Sequence, residues 1–309
     1  MNIDSRIKFR HLLCFLEVVR LGSLARAADR LAVSQPAVSK TIKELEEVLG
    51  ASLLERGKGG AVLTEAGIAF LRYAGPCVQA LRDGVESLRG GEYAASSARL
   101  GVLSTVEGAF LPEVVRRLHA RHAALVVSVV TGPSAHLLSQ LRVGELDLVV
   151  GRMTDSPKIH GLAFEHLYHE PLTLVVRAGH ALLGRPLNTA ELEEYPLVLP
   201  TAGTTIRKRV DSLFVEQGLR QSSRRLETLS LSLSRRYVDD SDAVWMAPLD
   251  AVRAALDKGE LAELAPQLQE TGGSVGICSN PSLQLSLGSH WCQEVLREVG
   301  QEYREGVYP

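Results

Sequence analysis

Apolar residues recur at helical spacing near the start of the chain and predict three short helices. The first ends at Gly22, the second is capped by Ser23, and the third is capped by Ser34. Pro36 falls in the first turn of the third helix, where its missing N–H costs nothing. The predicted apolar faces are Phe9, Leu12, Leu13, Leu16 and Val19 in the first helix, Leu24, Ala27, Ala28 and Leu31 in the second, and Val38, Ile42, Leu45 and Leu49 in the third.

The polar face of the third predicted helix is typical of a helix that reads DNA. Gln35 lies near its N-terminus, where a side-chain amide can pair with the edge of adenine, and Ser39 can reach a base or a phosphate. Lys40 and Lys43 would neutralise phosphates, which sets register and salt dependence rather than sequence preference. The same spacing also fits a solvated face on any three-helix domain.

Two short apolar runs flank a turn rich in glycine and lysine between Ser52 and Thr64, which predicts a β-hairpin with a basic tip. Such a wing would place Arg56 and Lys58 near the DNA backbone or the minor groove. The turn is not a phosphate loop, because it lacks the spaced first glycine and the Ser or Thr after Lys. The residues predicted to contact DNA are Ser34, Gln35, Pro36, Ser39, Lys40, Lys43, Arg56, Lys58 and Thr64.

A long helix is predicted to begin after Thr64, which can cap it. Its apolar residues alternate in steps of four and three, as in a coiled coil between two subunits. Pro76 predicts a bend after Ala74. The alternative is a helix that packs on its own domain. The apolar seam consists of Phe70, Ala74, Cys77, Leu81, Val85 and Leu88.

The pattern changes after Gly91 to apolar runs that alternate with amphipathic helices, which predicts βαβ units and parallel sheets. The run Leu172–Val176 is predicted to cross into a second α/β lobe, and Ser274–Ile277 to return to the first. The other predicted strands are Arg99–Leu103, Leu125–Val130, Asp147–Val150, Leu197–Leu199 and Val244–Met246, and the helices are Ala109–His122, Ser134–Val143 and Leu283–Glu302.

These elements predict three domains. Residues 1–65 form a winged helix-turn-helix, residues 66–91 a linker and dimerisation helix, and residues 92–309 a ligand-binding domain. Within the last, lobe I covers about 92–170 and 270–309, and lobe II about 171–269. The predicted fold is thus an N-terminal all-α winged helix-turn-helix with a long linker helix, followed by a two-lobed α/β domain like a periplasmic binding protein.

Ligands of open α/β sheets bind beyond the carboxyl ends of the strands, where helix N-termini converge. Hydroxyl residues follow three of the predicted strands, and an arginine follows a fourth at Arg152. Thr204 and Thr205 open a helix after Gly203, so hydroxyls and free N–H groups could receive a carboxylate, with Arg207 one turn later. Plain helix capping is the alternative role of these residues. The predicted effector-binding residues are Ser104, Thr105, Thr131, Arg152, Thr201, Thr204 and Thr205.

Charge and composition say little about whether this chain binds nucleic acid, but they bear on its location. The whole chain has a formal net charge of −2, whereas residues 1–65 contain ten basic and eight acidic residues, a net charge of +2. The chain starts without an apolar secretory signal and has no apolar stretch long enough to span a membrane, so we expect a cytoplasmic protein with no membrane partner. The four separated cysteines match no zinc spacing.

Metal and enzyme chemistry lack support in the sequence. His119 with His122, and His166 with His169, are each three residues apart, but no cysteine or carboxylate completes a site, and the spacing on a strand would not place the second pair on one face. No nucleophile elbow, dinucleotide fingerprint or metal motif is present. We therefore expect no enzyme activity, no metal and no cofactor. A solute-binding or enzymatic α/β protein remains an alternative, as does a thiol switch at Cys278 or Cys292.

The motifs Ala27-Ala28, Ser34-Gln35-Pro36-Ala37-Val38-Ser39 and Thr64-Glu65-Ala66-Gly67 lie in the run from Arg10 to Gly67, and this run resembles the DNA-binding segment of LysR-type transcriptional regulators. That resemblance implies binding to double-stranded promoter DNA, a small-molecule effector, a homodimer and a homotetramer. Three further strings, RIKFRHLLCFLEV, SQPAVSKTIKELEEVLG and LPTAGTTIRKRV, resemble members that regulate protocatechuate and aromatic catabolism, with sugar-responsive regulators as an alternative. The residues that carry the family resemblance are Ala27-Ala28, Leu31, Ser34-Gln35-Pro36-Ala37-Val38-Ser39, Ile42, Leu45-Glu46, Leu49-Gly50, Leu53-Leu54, Arg56 and Thr64-Glu65-Ala66-Gly67.

Overall fold

The computed structural model of the protein describes residues 5–57, 60–89, 97–152, 159, 161–185, 191–220, 222–264 and 273–307. These residues divide into two compact units. One contains the N-terminal helices and hairpin together with residues 138–147 and 280–285, and the other contains most of the chain from residue 97 onward. In those residues, no helix is long and apolar enough to cross a membrane.

The first unit begins with the three predicted helices, α1 (Phe9–Leu21), α2 (Leu24–Leu31) and α3 (Gln35–Leu49). The predicted caps are confirmed, because the hydroxyl of Ser23 accepts a hydrogen bond from the Arg26 amide and that of Ser34 from the Ala37 amide, each at 3.4 Å. Gly22 ends α1 in the left-handed conformation. The hairpin strands β1 (Leu54–Gly57) and β2 (Gly60–Leu63) and the long helix α4 (Glu65–Arg89) follow.

The predicted apolar face of α1 is only partly correct. Phe9 is 41% exposed, whereas His11, Cys14, Phe15 and Val18 are buried beside Leu16. Apolar residues occupy most sides of this helix, so the pattern alone does not fix which side faces the core. In α2 and α3 the residues Ala27, Ala28, Val38, Ile42 and Leu45 are buried as predicted.

Helix α4 continues through Pro76 without a break. Its first half completes the core of the first unit, where Leu71, Ala74 and Val78 are buried and the ring of Phe70 lies 5.3 Å from that of Phe15. The first positions of the predicted seam therefore pack on their own domain. The bend after Ala74 stays a prediction.

The second unit contains two five-stranded sheets, which form two lobes. The strands of the first are β3 (Ser97–Val102), β4 (Val126–Thr131), β5 (Leu148–Arg152), β6 (Ala163–Glu170) and β12 (Gly273–Ser279). Those of the second are β7 (Leu172–Arg177), β8 (Leu197–Leu199), β9 (Arg225–Glu227), β10 (Val244–Pro248) and β11 (Leu261–Glu263). The first sheet has the strand order β4-β3-β5-β12-β6, and the second has the order β11-β7-β10-β8-β9.

Both sheets are mixed rather than wholly parallel, which corrects the prediction. Strand β12 pairs antiparallel with β5 and β6, and β7 pairs antiparallel with β10 and β11. These strands reach their sheets by crossing between the lobes and not through a βαβ connection. The helices of the second unit are α5 (Phe110–Arg121), α7 (Thr205–Glu216), α8 (Leu231–Asp239), α9 (Leu249–Asp257) and α10 (Leu287–Arg304). Helix α6 (Ser134–Arg142) begins in the second unit, and its residues from 138 onward belong to the first.

Strands β9 and β11 were not predicted from the sequence, β6 was expected only as a strand and turn around His166 and His169, and α10 starts four residues later than predicted. The later start follows from Ser286, whose hydroxyl accepts a hydrogen bond from the Ser289 amide at 3.1 Å and caps the helix. The predicted crossings near residue 171 and before residue 274 coincide with the points where the chain changes sheet.

Candidate nucleic-acid interface and ligand cleft

Helix α3 presents most of its predicted DNA-contacting residues to solvent. Gln35, Pro36, Lys40 and Lys43 are exposed, and Ser39 is half-buried. Their exposure follows from the burial of Val38, Ile42 and Leu45, which anchors the opposite face of the helix in the core. The structure thus gathers two amine groups and one amide on a single polar face.

Glu44 lies beside this face and was missed in the sequence. Its carboxylate lies 3.9 Å from the amine of Lys40, 3.2 Å from the guanidinium of Arg10 and 3.4 Å from Nε2 of buried His11. Desolvation opposes ionisation of Glu44, but the adjacent His11 ring and the hydrogen bond from Arg10 outweigh it and hold the pKa of this carboxyl below its usual range. Glu44 thereby links the exposed face of α3 to α1.

The predicted wing is confirmed as a hairpin in which Arg56 pairs with Ala61. The amide of Ala61 donates to the carbonyl of Gly22 at 3.0 Å, and Glu46 accepts from the amide of Leu53 at 2.7 Å, so the hairpin is held against the helices. The side chain of Arg56 and all of Lys58 lie outside the described residues.

Thr64 has a structural role in the described contacts. Its hydroxyl donates to the carbonyl of Ser52 at 2.6 Å and accepts from the amide of Gly67 at 2.9 Å. It therefore caps α4 as predicted and fixes the base of the wing.

An exposed apolar stripe runs along α4 from Tyr73 to Val85. Tyr73 is 75% exposed, Leu81 51% and Val85 42%, and Cys77 is also exposed. These positions recur every four residues, so they share one side of the helix. We call Tyr73, Cys77, Leu81 and Val85 the α4 stripe; Leu88, the last residue of the predicted seam, has no described side chain.

A cavity of about 520 Å³ lies between the two lobes of the second unit. Lobe I contributes Ser104 and Thr131, and lobe II contributes Ser230 and Ser232, so hydroxyl groups face the cavity from both sides. Thr105, Ser134 and Thr204 line a smaller adjoining cavity of about 20 Å³. The remaining residues around the large cavity are Glu107, Gly132, Pro133, Leu229 and Leu231.

Helix N-termini surround these cavities. Helix α6 begins at Ser134. Helix α7 is capped by the hydroxyl of Thr204, which accepts from the amide of Arg207 at 3.3 Å, and α8 by the hydroxyl of Ser230, which accepts from the amide of Leu233 at 3.3 Å. Unpaired first-turn amides give each N-terminus a partial positive charge. The cluster Leu229–Ser232 was missed in the sequence, although Ser230 before an amphipathic stretch is itself a capping signal.

Of the predicted effector residues, Ser104 and Thr131 line the large cavity, Thr105 and Thr204 line only the small one, and Arg152 and Thr201 line neither. The hydroxyl of Thr105 accepts from the Arg152 amide at 3.1 Å and lines only the small cavity, and Thr201 is exposed and lines neither. Arg152 is buried, with its guanidinium donating to the Glu170 carbonyl at 3.3 Å. The side chain of Thr205 lies outside the described residues.

Arg207, the other cation considered near the cleft, is also buried. Its guanidinium donates to Asp211 at 2.8 Å, to Glu227 at 2.9 Å and to the carbonyl of Pro200 at 3.0 Å. Its charge is therefore matched by two carboxylates before any ligand arrives.

Asp250 joins the lobes next to the cleft. Its carboxylate accepts hydrogen bonds from the amides of Gly108, Ala109 and Phe110 at 3.0 to 3.2 Å, although Asp250 lies in α9 of lobe II and the amides belong to lobe I. The amide of Asp250 in turn donates to the carboxyl of Glu170 at 2.5 Å. Burial raises the pKa of Glu170 to about 8.

The prediction that His166 and His169 cannot share a face is wrong. Their rings lie 4.6 Å apart, because β6 has a bulge at Leu167 opposite Val275 and Gly276, and one extra residue returns the second histidine to the side of the first. His166 Nδ1 lies 2.5 Å from the Ser274 hydroxyl, and burial, followed by the nearby His169 and Arg304, lowers its pKa. The described residues contain no group of three or more potential metal ligands.

Comparison with known proteins covers both units. Residues 9–68 match the family described as bacterial regulatory helix-turn-helix protein, lysR family, and residues 92–301 match the LysR substrate binding domain. The chain is 42% identical over 306 residues to the transcriptional regulator PcaQ of Agrobacterium fabrum, covering 98% of each chain. It is 37% identical to the uncharacterized regulator YdcI of Escherichia coli, covering 96% of each.

The fold is also similar to solved structures. The crystal structure of ArgP from Mycobacterium tuberculosis matches with a TM-score of 0.62 and 17% identity, covering 99% of each chain. This likeness concerns the fold of a helix-turn-helix followed by a two-lobed α/β domain. It carries no information about the ligand.

Proposed function

This chain belongs to the LysR family of transcriptional regulators, and from that premise we propose that a small organic acid, bound between the lobes, switches its activity at promoters. The observation that carries the proposal is the cavity of about 520 Å³, which has hydroxyl groups on both walls. Its size suits a small metabolite.

Binding to promoter DNA is assigned to the exposed face of α3 and to the wing. Gln35 would read a base, and Ser34, Pro36, Ser39, Lys40, Lys43, Arg56 and Lys58 would contact bases or backbone. The exposure of Gln35, Lys40 and Lys43 supports these roles. We omit Thr64, because both described contacts of its hydroxyl are internal.

The effector is assigned to the cleft through Ser104 and Thr131, with Ser230 as an added residue. Thr204 would contribute the N-terminus of α7 and not its hydroxyl, which donates to the carbonyl of Thr201 at 2.7 Å and accepts from the amide of Arg207. The N-termini of α6, α7 and α8 at its walls support binding of a carboxylate, since their amides offer unpaired donors. Arg152 and Arg207 are less suited than the sequence indicated, because both guanidinium groups are already engaged.

For the pathway we propose aromatic acid catabolism, as the resemblance to regulators of protocatechuate degradation implies. A sugar-responsive regulator is the second candidate, and the hydroxyl-rich wall with its carboxylate Glu107 favours it. A thiol switch is less well supported, because Cys278 and Cys292 are fully buried.

For assembly we propose a homodimer formed through the α4 stripe, and a homotetramer in the cytoplasm, where promoter DNA is found. Two copies could bury Tyr73, Leu81 and Val85 against each other, as in a coiled coil. The proposed domains are residues 1–65, 66–91 and 92–309. Effector-induced closure of the lobes would then alter the relative placement of dimers and the bend of the bound DNA.

The effector site can be tested by thermal shift of the full-length protein with a panel of aromatic and sugar acids, because a bound ligand raises stability. Thr131→Val removes one hydroxyl from the cavity at nearly constant shape and should reduce the shift. Ser128→Ala removes an exposed hydroxyl from the same strand outside the cavity and should not. An unchanged shift in the Thr131 variant and in Ser104→Ala would place the ligand elsewhere.

DNA binding can be tested by gel retardation with genomic fragments. We expect sequence-dependent retardation that changes when the effector is added. Retardation of all fragments alike would contradict a role as a specific regulator.

A further inference from the structure

Charge is unevenly distributed around the proposed effector cleft. Among the described residues that line the two cavities, Glu107 is the one charged side chain. The cations that the sequence offered, Arg152 and Arg207, are buried in contacts elsewhere. A ligand in this cleft therefore meets a single carboxylate and no cationic side chain within the described part of the chain.

Glu107 differs from two other acids of the same unit. Glu302 is paired with Arg117 at 2.6 Å, and Glu227 with Arg207 at 2.9 Å. Glu107 has no hydrogen bond or ion pair to any described residue, and burial raises its pKa. Glu107 is half-buried on a cavity wall, so a ligand that fills the cavity removes the remaining water from this carboxylate and has to supply a hydrogen-bond donor in its place.

The backbone beside Glu107 is held firmly. Gly108 and Ala109 donate their amides to the Asp250 carboxylate at 3.1 and 3.0 Å. A Cβ on Gly108 would collide with the backbone of Asp250 and Ala251, so this approach requires glycine. Glu107 is therefore presented from a segment that has little freedom to withdraw, as a selective contact requires.

We propose that Glu107 determines the chemical class of the effector: it accepts a hydrogen bond from a hydroxyl or amino group at the end of the ligand remote from its carboxylate. This inference rests on the proposed function of the cleft as the site of an organic acid. The effector is then a monocarboxylate that bears a hydrogen-bond donor. A dicarboxylate of the same size would place a second negative charge against Glu107 and should bind more weakly.

Two matched pairs of ligands test this assignment on the full-length protein by titration calorimetry. In each pair, one member has a hydroxymethyl group where the other has a carboxylate: 4-(hydroxymethyl)benzoate with terephthalate, and gluconate with glucarate. We expect the unmodified protein to bind the hydroxymethyl member of at least one pair about tenfold or more tightly than its dicarboxylate, the scale of a hydrogen bond to a charged group.

Glu107→Gln removes the charge at constant shape and adds an N–H donor. We expect it to abolish or reverse the preference within the pair, because the amide can donate to a carboxylate. Glu294→Gln, an exposed residue of α10 that lines neither cavity, is the matched control and should keep the preference.

The outcomes separate this inference from the function on which it rests. A protein that prefers a dicarboxylate, and does so equally after Glu107→Gln, would overturn the role of Glu107 and leave the organic acid cleft intact. Absence of binding by all four compounds, with DNA retardation intact, would count against both.

Discussion

The hydroxyl of Tyr303 donates a hydrogen bond to the carboxylate of Asp250 at 2.8 Å, and neither residue is exposed to solvent. Tyr303 belongs to α10 of lobe I, and Asp250 to α9 of lobe II. The same carboxylate accepts the first amides of α5, so one side chain both caps a helix and joins the lobes at their hinge. The stability of the second unit should depend on it.

Asp250→Asn should destabilise the second unit by about 2–4 kcal/mol, because a buried amide leaves at least one of four donors without an acceptor. Tyr303→Phe, which removes one donor, should cost about 1 kcal/mol. Chemical unfolding of the full-length protein measures both. Asp257→Asn, at the exposed end of the same helix, is the control and should stay within about 0.5 kcal/mol of the unmodified protein. Equal costs at positions 250 and 257 would contradict the role of Asp250.

Glu170 should make stability fall as pH rises. Burial raises the pKa of Glu170 to about 8 in the folded protein, above the value of about 4.3 expected in the unfolded chain. The folded state therefore binds more protons than the unfolded state. The stabilisation that the protonated Glu170 gives the folded protein is fully present below pH of about 4 and is lost as pH rises toward 8.

Glu170→Gln mimics the protonated form at every pH. The melting temperature of the variant minus that of the unmodified protein should increase from pH of about 5 to about 8. The increase should correspond to about 1–3 kcal/mol in the free energy of unfolding. Parallel melting curves across this range would contradict a buried, protonated Glu170.

Lys40 and Gln35 should affect DNA binding differently. Lys40→Ala removes an exposed amine and should weaken binding to specific and random DNA alike, lowering the slope of log K against log salt by about 1. Gln35→Ala should relax base preference at one position by about 1–3 kcal/mol. Fluorescence anisotropy at several salt concentrations measures both. If both variants lose the same factor on specific and random DNA, the assigned roles are wrong.

Leu81→Glu should dissociate the proposed dimer, because it places a charge in the middle of the α4 stripe. Ile68→Glu is the matched control, since Ile68 is also an exposed apolar residue of α4 but lies about 140° around the helix from Leu81. Light scattering after size-exclusion chromatography should give half the mass for the first variant and an unchanged mass for the second. A dimer that survives Leu81→Glu would locate the interface elsewhere.

Local signals in the sequence determined most of the elements. Capping by Ser23, Ser34, Thr64 and Thr204 depends on residues within a few positions of each helix start, so it could be predicted directly. The same holds for the hairpin and for the strands at 97–102 and 126–131, whose apolar runs are bounded by turns. The points at which the chain changes sheet also followed from the order of these elements.

Contacts between distant segments were decided by the tertiary structure alone. Helix α5 has alanine at its cap position and takes its cap from Asp250, about 140 residues away in the chain. Arg152 is directed into the hinge, and Arg207 into an ion pair, although their sequence positions suggested the cleft. The bulge at Leu167 sets the side of His169. Local spacing specifies which residues a helix or strand can present, but the partner each side chain meets depends on packing across the fold, which spacing does not encode.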